Sequence, residues 1–152
     1  MTLIRKPTLQ EVPALHRLIE EHAAFERSVA PLSTDALAAV MAVPGMPVRF
    51  IVADRDGQLL GYAAVTFDWS VWRARRFAHL DCLYVAQNDR RQGIGKLLFA
   101  GARRIALDEG VDRMEWQTPA WNLEADAFYR REGAVAADKI RYSLAISSQI
   151  RL

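Results

Sequence analysis

The stretch Arg90-Arg91-Gln92-Gly93-Ile94-Gly95-Lys96 joins an apolar, strand-like run, Leu80–Val85, to a helical pattern that begins at its isoleucine. Its two glycines lack a Cβ, so the backbone can turn there with positive φ and bring its N–H groups close to an anion. The following helix adds unpaired N-terminal donors and its dipole, and the three basic side chains add positive charge. Gly-rich turns also close ordinary loops, but a turn between a strand and a helix predicts a phosphate site.

Composition limits the fold and the partners of this chain. Its 152 residues, 51% of them hydrophobic, predict a single domain over residues 1–152 with a proper core. The balance of 20 Lys plus Arg against 18 Asp plus Glu does not favour nucleic acid as a partner. One cysteine, Cys82, excludes an intramolecular disulfide framework. Since no apolar run reaches the ~18 residues of a membrane span, we expect a soluble, cytoplasmic protein with no membrane partner.

The apolar periodicity predicts alternating helices and strands. Helices are expected after Thr8, which forms a capping box with Glu11, after Ser33, after the Gly-rich turn, and from Asn122 to Arg131. The predicted strands are Leu3–Ile4, Phe50–Ala53, Leu59–Phe67, Phe77–Val85, Arg113–Thr118 and Arg141–Ile146, the second and third forming a hairpin around Asp54–Gly57. This order predicts an α/β fold with a mixed, mostly antiparallel central sheet flanked by helices.

Two motifs carry a resemblance to a known family. One is Arg90-x-x-Gly93-x-Gly95 after an apolar strand, and the other is Trp121-Asn122-x-x-Ala125-x-x-Phe128-Tyr129-x-x-x-Gly133-Ala134 about 30 residues later. Together they resemble the GNAT superfamily of acyl-CoA-dependent N-acetyltransferases. Within it, the chain is most similar to the diamine and thialysine acetyltransferase group, through His22–Glu26, Phe67–Trp72 and the Trp-Asn pair. The likeness runs from about Leu3 to Leu144.

The resemblance implies a binding mode for acetyl-CoA as co-substrate. Its pantetheine arm would lie in a cleft where two parallel strands, ending at Val85 and Thr118, splay apart. Backbone groups of that first strand would hydrogen-bond the arm like an added strand, although the same residues also pack as core. Asn122 would contact the arm and also cap its own helix. The coenzyme contacts implied are Leu83, Tyr84, Val85, Arg90, Arg91, Gln92, Gly93, Ile94, Gly95, Lys96 and Asn122.

The resemblance also implies two catalytic residues. Asp81 matches an acidic position, more often Glu in the family, from which a carboxylate can deprotonate the acceptor amine directly or through a water. Its alternative role is to pair with a nearby arginine. Tyr129 matches the general acid that protonates the departing thiolate, and its alternative role is packing against Phe128. Because these two rings are adjacent on a helix, we expect one to be buried and the other to face the cleft.

The acceptor is expected to be a small-molecule amine. A cationic amine requires carboxylates, for which Glu26 and Asp68 are the candidates, and Trp72 offers a cation–π face. Cys82 stands where the diamine enzymes carry an acidic residue, which argues against polyamines. An acetyl-cysteine intermediate there is disfavoured, because an apolar environment raises a thiol pKa. The three histidines are too scattered to predict a metal site.

Several alternatives remain open from the sequence. The acceptor alternatives are an aminoglycoside-type antibiotic and a protein or peptide amine. Outside enzymes, the chain is compatible with an acetyl-CoA-binding sensor that does not turn over, or with an interaction module on the same fold. The resemblance further implies a homodimer in which the loop Phe67–Arg76 helps to complete the acceptor site of the neighbouring copy.

Overall fold

A computed structural model describes residues 1–46 and 48–147 of the chain. By internal contacts these residues form two compact units, Met1–Pro119 and Ala120–Leu152, and each is described by itself. The expectation of one domain therefore stays a prediction. The first unit contains β1 (Leu3–Arg5), α1 (Val12–Phe25), α2 (Thr34–Ala42), β2 (Arg49–Arg55), β3 (Gln58–Ser70), β4 (Arg75–Val85), α3 (Ile94–Asp108) and β5 (Met114–Glu115), and the second contains α4 (Leu123–Arg131).

The helix starts follow the predicted capping residues. Thr8 precedes a short 3-10 turn, Leu9–Glu11, that leads into α1, and its N–H donates a hydrogen bond of 2.8 Å to the Glu11 carboxylate; at α2, Ser33 Oγ accepts one of 3.0 Å from the Ala36 N–H. Each bond satisfies a backbone donor that has no partner within its own helix. Across the described part of the chain, no helix combines the length and the apolar character needed to cross a membrane.

The five strands form one sheet in the order β1-β2-β3-β4-β5. The first three pairings are antiparallel and the last, between β4 and β5, is parallel, which confirms the predicted fold class. The hairpin between β2 and β3 turns on Asp56 and Gly57 alone, with φ of 53° and 84°, so the predicted four-residue loop was too long. Two residues with positive φ match the twist of the flanking strands and allow them to pair up to the turn.

The parallel pair is short, and this creates a gap at the end of the sheet. Only Ala78 and His79 of β4 pair with β5, opposite Met114 and Glu115. The strand predicted over residues 113–118 is thus reduced to two residues. Among the described residues, the rest of β4 has no partner strand on that side. The predicted coenzyme-binding residues Leu83, Tyr84 and Val85 belong to this stretch of β4.

The helices of the first unit cover both faces of the sheet. Val12, Leu15 and Leu18 of α1 pack with Leu37 of α2 around the buried side chain of Tyr62 in β3. The adjacent residue, Gly61, faces α3 on the opposite side, where an added Cβ would lie 3.1 Å from Leu98 Cδ1 and 2.5 Å from the Tyr84 carbonyl oxygen. Successive residues of a strand point to opposite faces, so the α1 face and the α3 face of the sheet carry different side chains.

The second unit departs from the sequence analysis at its end. Asn122 Oδ1 accepts a hydrogen bond of 3.1 Å from the Ala125 N–H and caps α4, as predicted. The strand predicted over Arg141–Ile146 is wrong, because residues 141–147 form no strand in the structure. The prediction rested on alternating apolar residues, but a strand also requires a neighbour for its backbone groups. Tyr142, Leu144 and Ile146 are 77–86% exposed.

Candidate functional site

The loop between β4 and α3 turns sharply at two residues. Gly93 is the N-cap of α3 with φ of 79°, and Arg91 has φ of 62°. The sequence permits positive φ at both Gly93 and Gly95, and of these two the structure uses it at Gly93. The helix already begins at Ile94, so Gly95 has helical backbone within the first turn. The left-handed residues are therefore the glycine cap and the arginine two positions before it.

This loop presents unpaired donors at an open helix end. Leu97 is bonded to the Gly93 carbonyl at 3.1 Å, so the N–H groups before it have no partner within α3. No side chain caps this end, and a Cβ at Gly93 would meet no atom within 4 Å. Lys96 and Arg91 are exposed beside it. Donors, dipole and charge together fit a phosphate group of a coenzyme.

Arg55, which the sequence analysis did not select, also reaches this loop. Its Nη1 donates to Gln92 Oε1 at 3.0 Å, and its Nε and Nη2 donate to Thr2 Oγ1 at 3.2 and 3.0 Å. The contact joins the end of β2 to a residue 37 positions later in the chain. No local sequence signal marks such a residue, because the contact depends on the pairing of the strands.

Arg90 has a different environment from its neighbours in the loop. Its Nε donates to the Val85 carbonyl at 2.9 Å, and its Cζ lies 4.5 Å from the centroid of the Phe25 ring and 5.3 Å from that of Tyr84. The guanidinium is thus turned back onto the end of β4. A contact between this side chain and a coenzyme phosphate, as predicted, requires it to leave these partners.

The backbone of β4 offers only alternate residues to the gap beside β5. Tyr84 pairs with Tyr62, and the Ala86 N–H donates to the Leu60 carbonyl at 2.8 Å. Because bonded and non-bonded pairs alternate in an antiparallel ladder, Tyr84 directs its backbone groups toward β3. Leu83 and Val85 direct theirs toward the gap. Of the three predicted pantetheine contacts, these two have the required orientation.

A β-bulge places Asp81 on the α1 face of the sheet. Cys82 lies opposite Ala64, whereas Leu80 lies opposite Val65, so Asp81 is the extra residue of β4. A bulge of this kind lets consecutive residues project to the same side. Asp81 and Cys82 consequently share the face of Tyr62, which simple alternation along the strand does not predict.

The Asp81 carboxylate is exposed and has two polar neighbours. Its Oδ1 lies 3.8 Å from His79 Nδ1, and its Oδ2 lies 3.7 Å from Cys82 Sγ. Thr66 Oγ1 lies 3.4 Å from the same histidine nitrogen. The side chain of Asp81 is 56% exposed, and no arginine is recorded within ion-pair distance of it in the described part of the chain. Its predicted alternative role, pairing with a nearby arginine, is therefore not what the structure has.

Glu26 ends α1 within a cluster of polar and aromatic side chains. Its Oε1 lies 3.5 Å from His22 Nε2, while His22 Nδ1 lies 2.8 Å from the Tyr62 hydroxyl. The His22 ring stacks on Tyr84 at 5.2 Å between centroids and 17° between planes. Neither His22 nor Tyr62 was singled out from the sequence, where both fit a plain apolar pattern.

Burial fixes the protonation of this cluster. It lowers the pKa of His22, and the nearby Glu26 carboxylate opposes that effect without cancelling it. It raises the pKa of the Tyr62 hydroxyl well above the ordinary value, and it raises the pKa of the Cys82 thiol to about 12. At neutral pH, His22 is therefore a neutral imidazole, while the phenol and the thiol keep their protons.

Asp68 and Trp72 lie away from these carboxylates. The Asp68 Oδ1 accepts a hydrogen bond of 2.7 Å from the Trp69 N–H, and Trp72 is 98% exposed in the turn between β3 and β4. Asp68 is four residues along β3 from Ala64, the partner of Cys82, which corresponds to roughly 13 Å. Within one copy of the chain, the structure does not bring these predicted acceptor residues together with Glu26 and Asp81.

Tyr129 and Asn122 belong to the second unit. The rings of Phe128 and Tyr129 contact each other edge to face at 5.3 Å, and both residues are half-buried. The expectation that one ring is fully buried is therefore wrong, and which of the two faces the cleft stays a prediction. Contact between adjacent helical residues is possible because the two rings are large. The catalytic role of Tyr129 and the coenzyme contact of Asn122 stay predictions.

The described residues contain no group of three or more His, Cys, Asp or Glu side chains arranged to hold a metal ion.

Comparison with known proteins is consistent with this geometry. Thialysine N-epsilon-acetyltransferase of Bos taurus is 29% identical over 98 residues, covering 64% of this chain and 53% of that protein. The Mus musculus protein of the same name is 27% identical over 143 residues, covering 88% and 84%. The chain spans about half the length of the first curated relatives that it matches.

Solved structures share the fold at low identity. An aminoglycoside acetyltransferase from an uncultured soil metagenomic sample superposes with a TM-score of 0.77 at 19% identity, covering 97% of both chains. The profile of the acetyltransferase (GNAT) family matches residues 15–134, which include His22 and Glu26, the bulge of β4, the loop before α3, and α4. This chain belongs to the acetyltransferase (GNAT) family.

Proposed function

We propose that this chain transfers an acetyl group from acetyl-CoA to a primary amine of a small molecule, by direct attack of the amine on the thioester. The observation that carries the proposal is the position of Asp81. It stands at the bulge of β4, on the α1 face with Glu26, and the same strand leads directly into the loop before α3. One strand thus connects a site for a cationic acceptor with a site for a phosphorylated donor.

The acceptor side suits an ammonium group. Glu26 is the C-cap of α1, where the helix dipole adds partial negative charge to that of the carboxylate. Asp81 supplies a second carboxylate on the same face of the sheet. An alkyl ammonium with a pKa near ~10 must lose a proton before its nitrogen can attack a carbonyl. Asp81, exposed and free of an arginine partner among the described residues, is the proposed acceptor of that proton.

The donor side supplies backbone groups. The Leu83 N–H, directed toward the gap beside β5, is suited to donate to the thioester carbonyl oxygen as negative charge develops there. The N–H groups from Arg91 to Lys96 would hold the pyrophosphate. When the carbon–sulfur bond breaks, the thiolate requires a proton, and we assign its donation to the Tyr129 hydroxyl on the basis of the family motif.

The proposed acceptor class is the side-chain amine of a lysine-like amino acid. This choice is supported by the name of the relatives at 27–29% identity, which denotes transfer to the ε-nitrogen of a lysine analogue. The neutral Cys82 thiol, in place of an acidic residue, leaves two carboxylates in the site rather than three. Fewer carboxylates favour an acceptor that carries one ammonium near the site over a polyamine with several.

We also propose that the chain forms a homodimer through the end of the β3–β4 hairpin. Trp69, Val71 and Trp72 are 60%, 82% and 98% exposed there, which is unusual for large apolar side chains. Light scattering coupled to size exclusion measures the mass in solution. A monomer at all accessible concentrations would reject this assembly.

The test of the proposed activity is release of free thiol from acetyl-CoA with a panel of amines between pH 6 and pH 10. The panel contains lysine analogues, polyamines, aminoglycosides and peptides with a free N-terminus, and mass spectrometry identifies the acetylated product. We expect turnover with lysine analogues and a rate that rises with pH. Turnover of an aminoglycoside or a peptide instead would show that the acceptor belongs to that class and is not a lysine-like amino acid. Tight acetyl-CoA binding without turnover of any amine would favour a sensor.

A further inference from the structure

His22 is a polar residue in a position where α1 otherwise packs apolar side chains. Its side chain is 14% exposed and stacks on Tyr84, so a leucine would satisfy the packing without burying any polar atom. Burying an imidazole is unfavourable unless both ring nitrogens find partners. Both do, since Nδ1 meets the Tyr62 hydroxyl at 2.8 Å and Nε2 faces Glu26 at 3.5 Å.

The directions of these contacts follow from their chemistry. An ionised carboxylate only accepts hydrogen bonds, and a neutral imidazole has one donor. With the donor on Nε2, His22 faces Glu26 favourably, and Nδ1 accepts from the Tyr62 hydroxyl. The opposite tautomer would set the Nε2 lone pair against the carboxylate at 3.5 Å. The Glu26 carboxylate, which can only accept, therefore selects the tautomer of His22, and the buried hydroxyl of Tyr62, only 1% of whose residue surface is exposed, satisfies Nδ1 by donating to it.

We propose that His22 is a positioning residue of the acceptor site: the Tyr62 hydroxyl donates to Nδ1 and so fixes the ring, and the Nε2–H of the ring orients the Glu26 carboxylate toward the ammonium group of the acceptor. The inference rests on the proposed function, because it assigns Glu26 to the acceptor. It adds two residues, His22 and Tyr62, that act through Glu26 without touching the reacting atoms.

The other groups around His22 are consistent with this role. Tyr84 covers one face of the ring, and the Arg90 guanidinium lies 5.3 Å from the centroid of the Tyr84 ring. Asp81 acts on His22 only through space, whereas Glu26 acts both through space and by a hydrogen bond. Glu26 is thus the acid to which His22 is directed, which leaves Asp81 available to accept the proton.

Kinetics of matched variants test the inference. His22→Leu removes the donor, whereas His22→Gln keeps one amide donor and one acceptor. We expect His22→Leu to raise the KM for the amine about tenfold, the scale of a hydrogen bond to a charged group, with the KM for acetyl-CoA unchanged. His22→Gln should recover most of this loss. His16→Gln is the control, because His16 lies on the same helix and bonds the Leu32 carbonyl at 2.8 Å, away from Glu26.

A double-mutant cycle separates positioning from packing. If His22 acts through Glu26, then adding His22→Leu to Glu26→Gln should raise the KM for the amine no further. Additive effects in the double variant would overturn the inference. An unchanged KM in His22→Leu, or no recovery in His22→Gln when both variants are folded, would do the same.

A measurement without turnover decides the same point if a variant does not fold or if no amine is acetylated. Nitrogen-15 spectra of the imidazoles in the full wild-type chain distinguish the two neutral tautomers. The inference requires the Nε2–H form for His22 at neutral pH, and a shift of its signal in Glu26→Gln. The Nδ1–H form would overturn it. Absence of turnover in the wild type would instead count against the proposed function alone.

Discussion

The loop between β4 and α3, proposed to bind phosphate, and the proposed acceptor face of the sheet are connected by β4 but are built differently. The loop uses backbone: a left-handed Gly93, a left-handed Arg91 and the free N–H groups that open α3. The acceptor face uses side chains from three elements, namely Glu26 on α1, Tyr62 on β3 and Asp81 on β4. A backbone site follows from local sequence, whereas a side-chain site depends on how distant elements pair. The two regions should consequently respond to different substitutions.

We expect Asp81→Asn to have the largest effect and to change the acceptor face without changing the loop. Loss of the proton acceptor should lower turnover at saturating substrates about 1,000-fold, with acetyl-CoA affinity unchanged. Assays of thiol release measure turnover, and calorimetric titration with acetyl-CoA measures its affinity. Asp108→Asn, which removes an exposed carboxylate from α3, is the control. Wild-type turnover in Asp81→Asn at every pH would remove Asp81 from the mechanism.

Tyr129→Phe should lower turnover less than Asp81→Asn does. Loss of the hydroxyl removes the donated proton but keeps the ring, which contacts Phe128. We expect turnover to fall about 100-fold while acetyl-CoA affinity changes little. Comparing acetyl-CoA with a thioester that has a more acidic thiol sharpens the result, because a better leaving group needs less protonation. An equal loss with both donors would argue against Tyr129 as the acid.

Gly93→Val tests the loop instead of the acceptor face. A β-branched residue at φ of 79° is strained by about 1–3 kcal/mol, so the loop should lose its shape and acetyl-CoA should bind about tenfold more weakly. Gly110→Val is the matched control, because Gly110 has φ of 71° at the other end of the same helix and also has open space around its Cα. Gly110→Val should lower the free energy of unfolding by a similar amount without changing acetyl-CoA affinity. Equal affinity losses in both variants would mean that general instability, and not the loop, is responsible.

Arg55→Gln should have a small effect on the same region. The substitution breaks an exposed hydrogen bond of 3.0 Å to Gln92, of a kind that contributes below about 1 kcal/mol. We expect acetyl-CoA affinity to fall less than about threefold, with turnover at saturation unchanged. The calorimetric titration used for Gly93→Val measures it. A tenfold loss would indicate that Arg55 binds the coenzyme directly.

No covalent effect is expected at Cys82. With a thiol pKa of about 12, only about one molecule in ten thousand carries a thiolate at pH 8, and that fraction falls further as pH is lowered. Intact mass spectrometry after incubation with acetyl-CoA alone should therefore detect no acetyl-cysteine. An acetylated Cys82 that transfers its acetyl group to an added amine would replace direct attack by a two-step route.

The features that the sequence predicted are local ones. The strand before the loop, the start of α3, the capping residues Ser33 and Asn122, and the β2–β3 hairpin each depend on a few neighbouring residues. The local sequence did not decide which glycine of the loop turns, because glycine permits positive φ without requiring it, and the structure uses it at Gly93 and not at Gly95. The predicted strand over residues 141–146 failed for the complementary reason that alternation does not supply a pairing partner.

The features that the sequence did not predict depend on tertiary structure. The bulge at Asp81 appears only when β4 is aligned with β3, and it is what brings Asp81 and Cys82 to one face. His22 and Tyr62 are 40 residues apart and look like core positions until the fold places a ring nitrogen 2.8 Å from a hydroxyl. Asp68 and Trp72, chosen for their chemistry alone, proved to lie away from the other acceptor residues.

The most direct test of the central claim measures acetyl-CoA affinity and turnover at saturating coenzyme in both Gly93→Val and Asp81→Asn. We expect the two variants to give opposite results. Gly93→Val should bind acetyl-CoA weakly but acetylate the amine at nearly the wild-type rate once saturated, whereas Asp81→Asn should bind normally and turn over about 1,000-fold more slowly. If Asp81→Asn lost affinity as Gly93→Val does, or if both lost turnover at saturation, the division between a backbone donor site and a side-chain acceptor site would be contradicted.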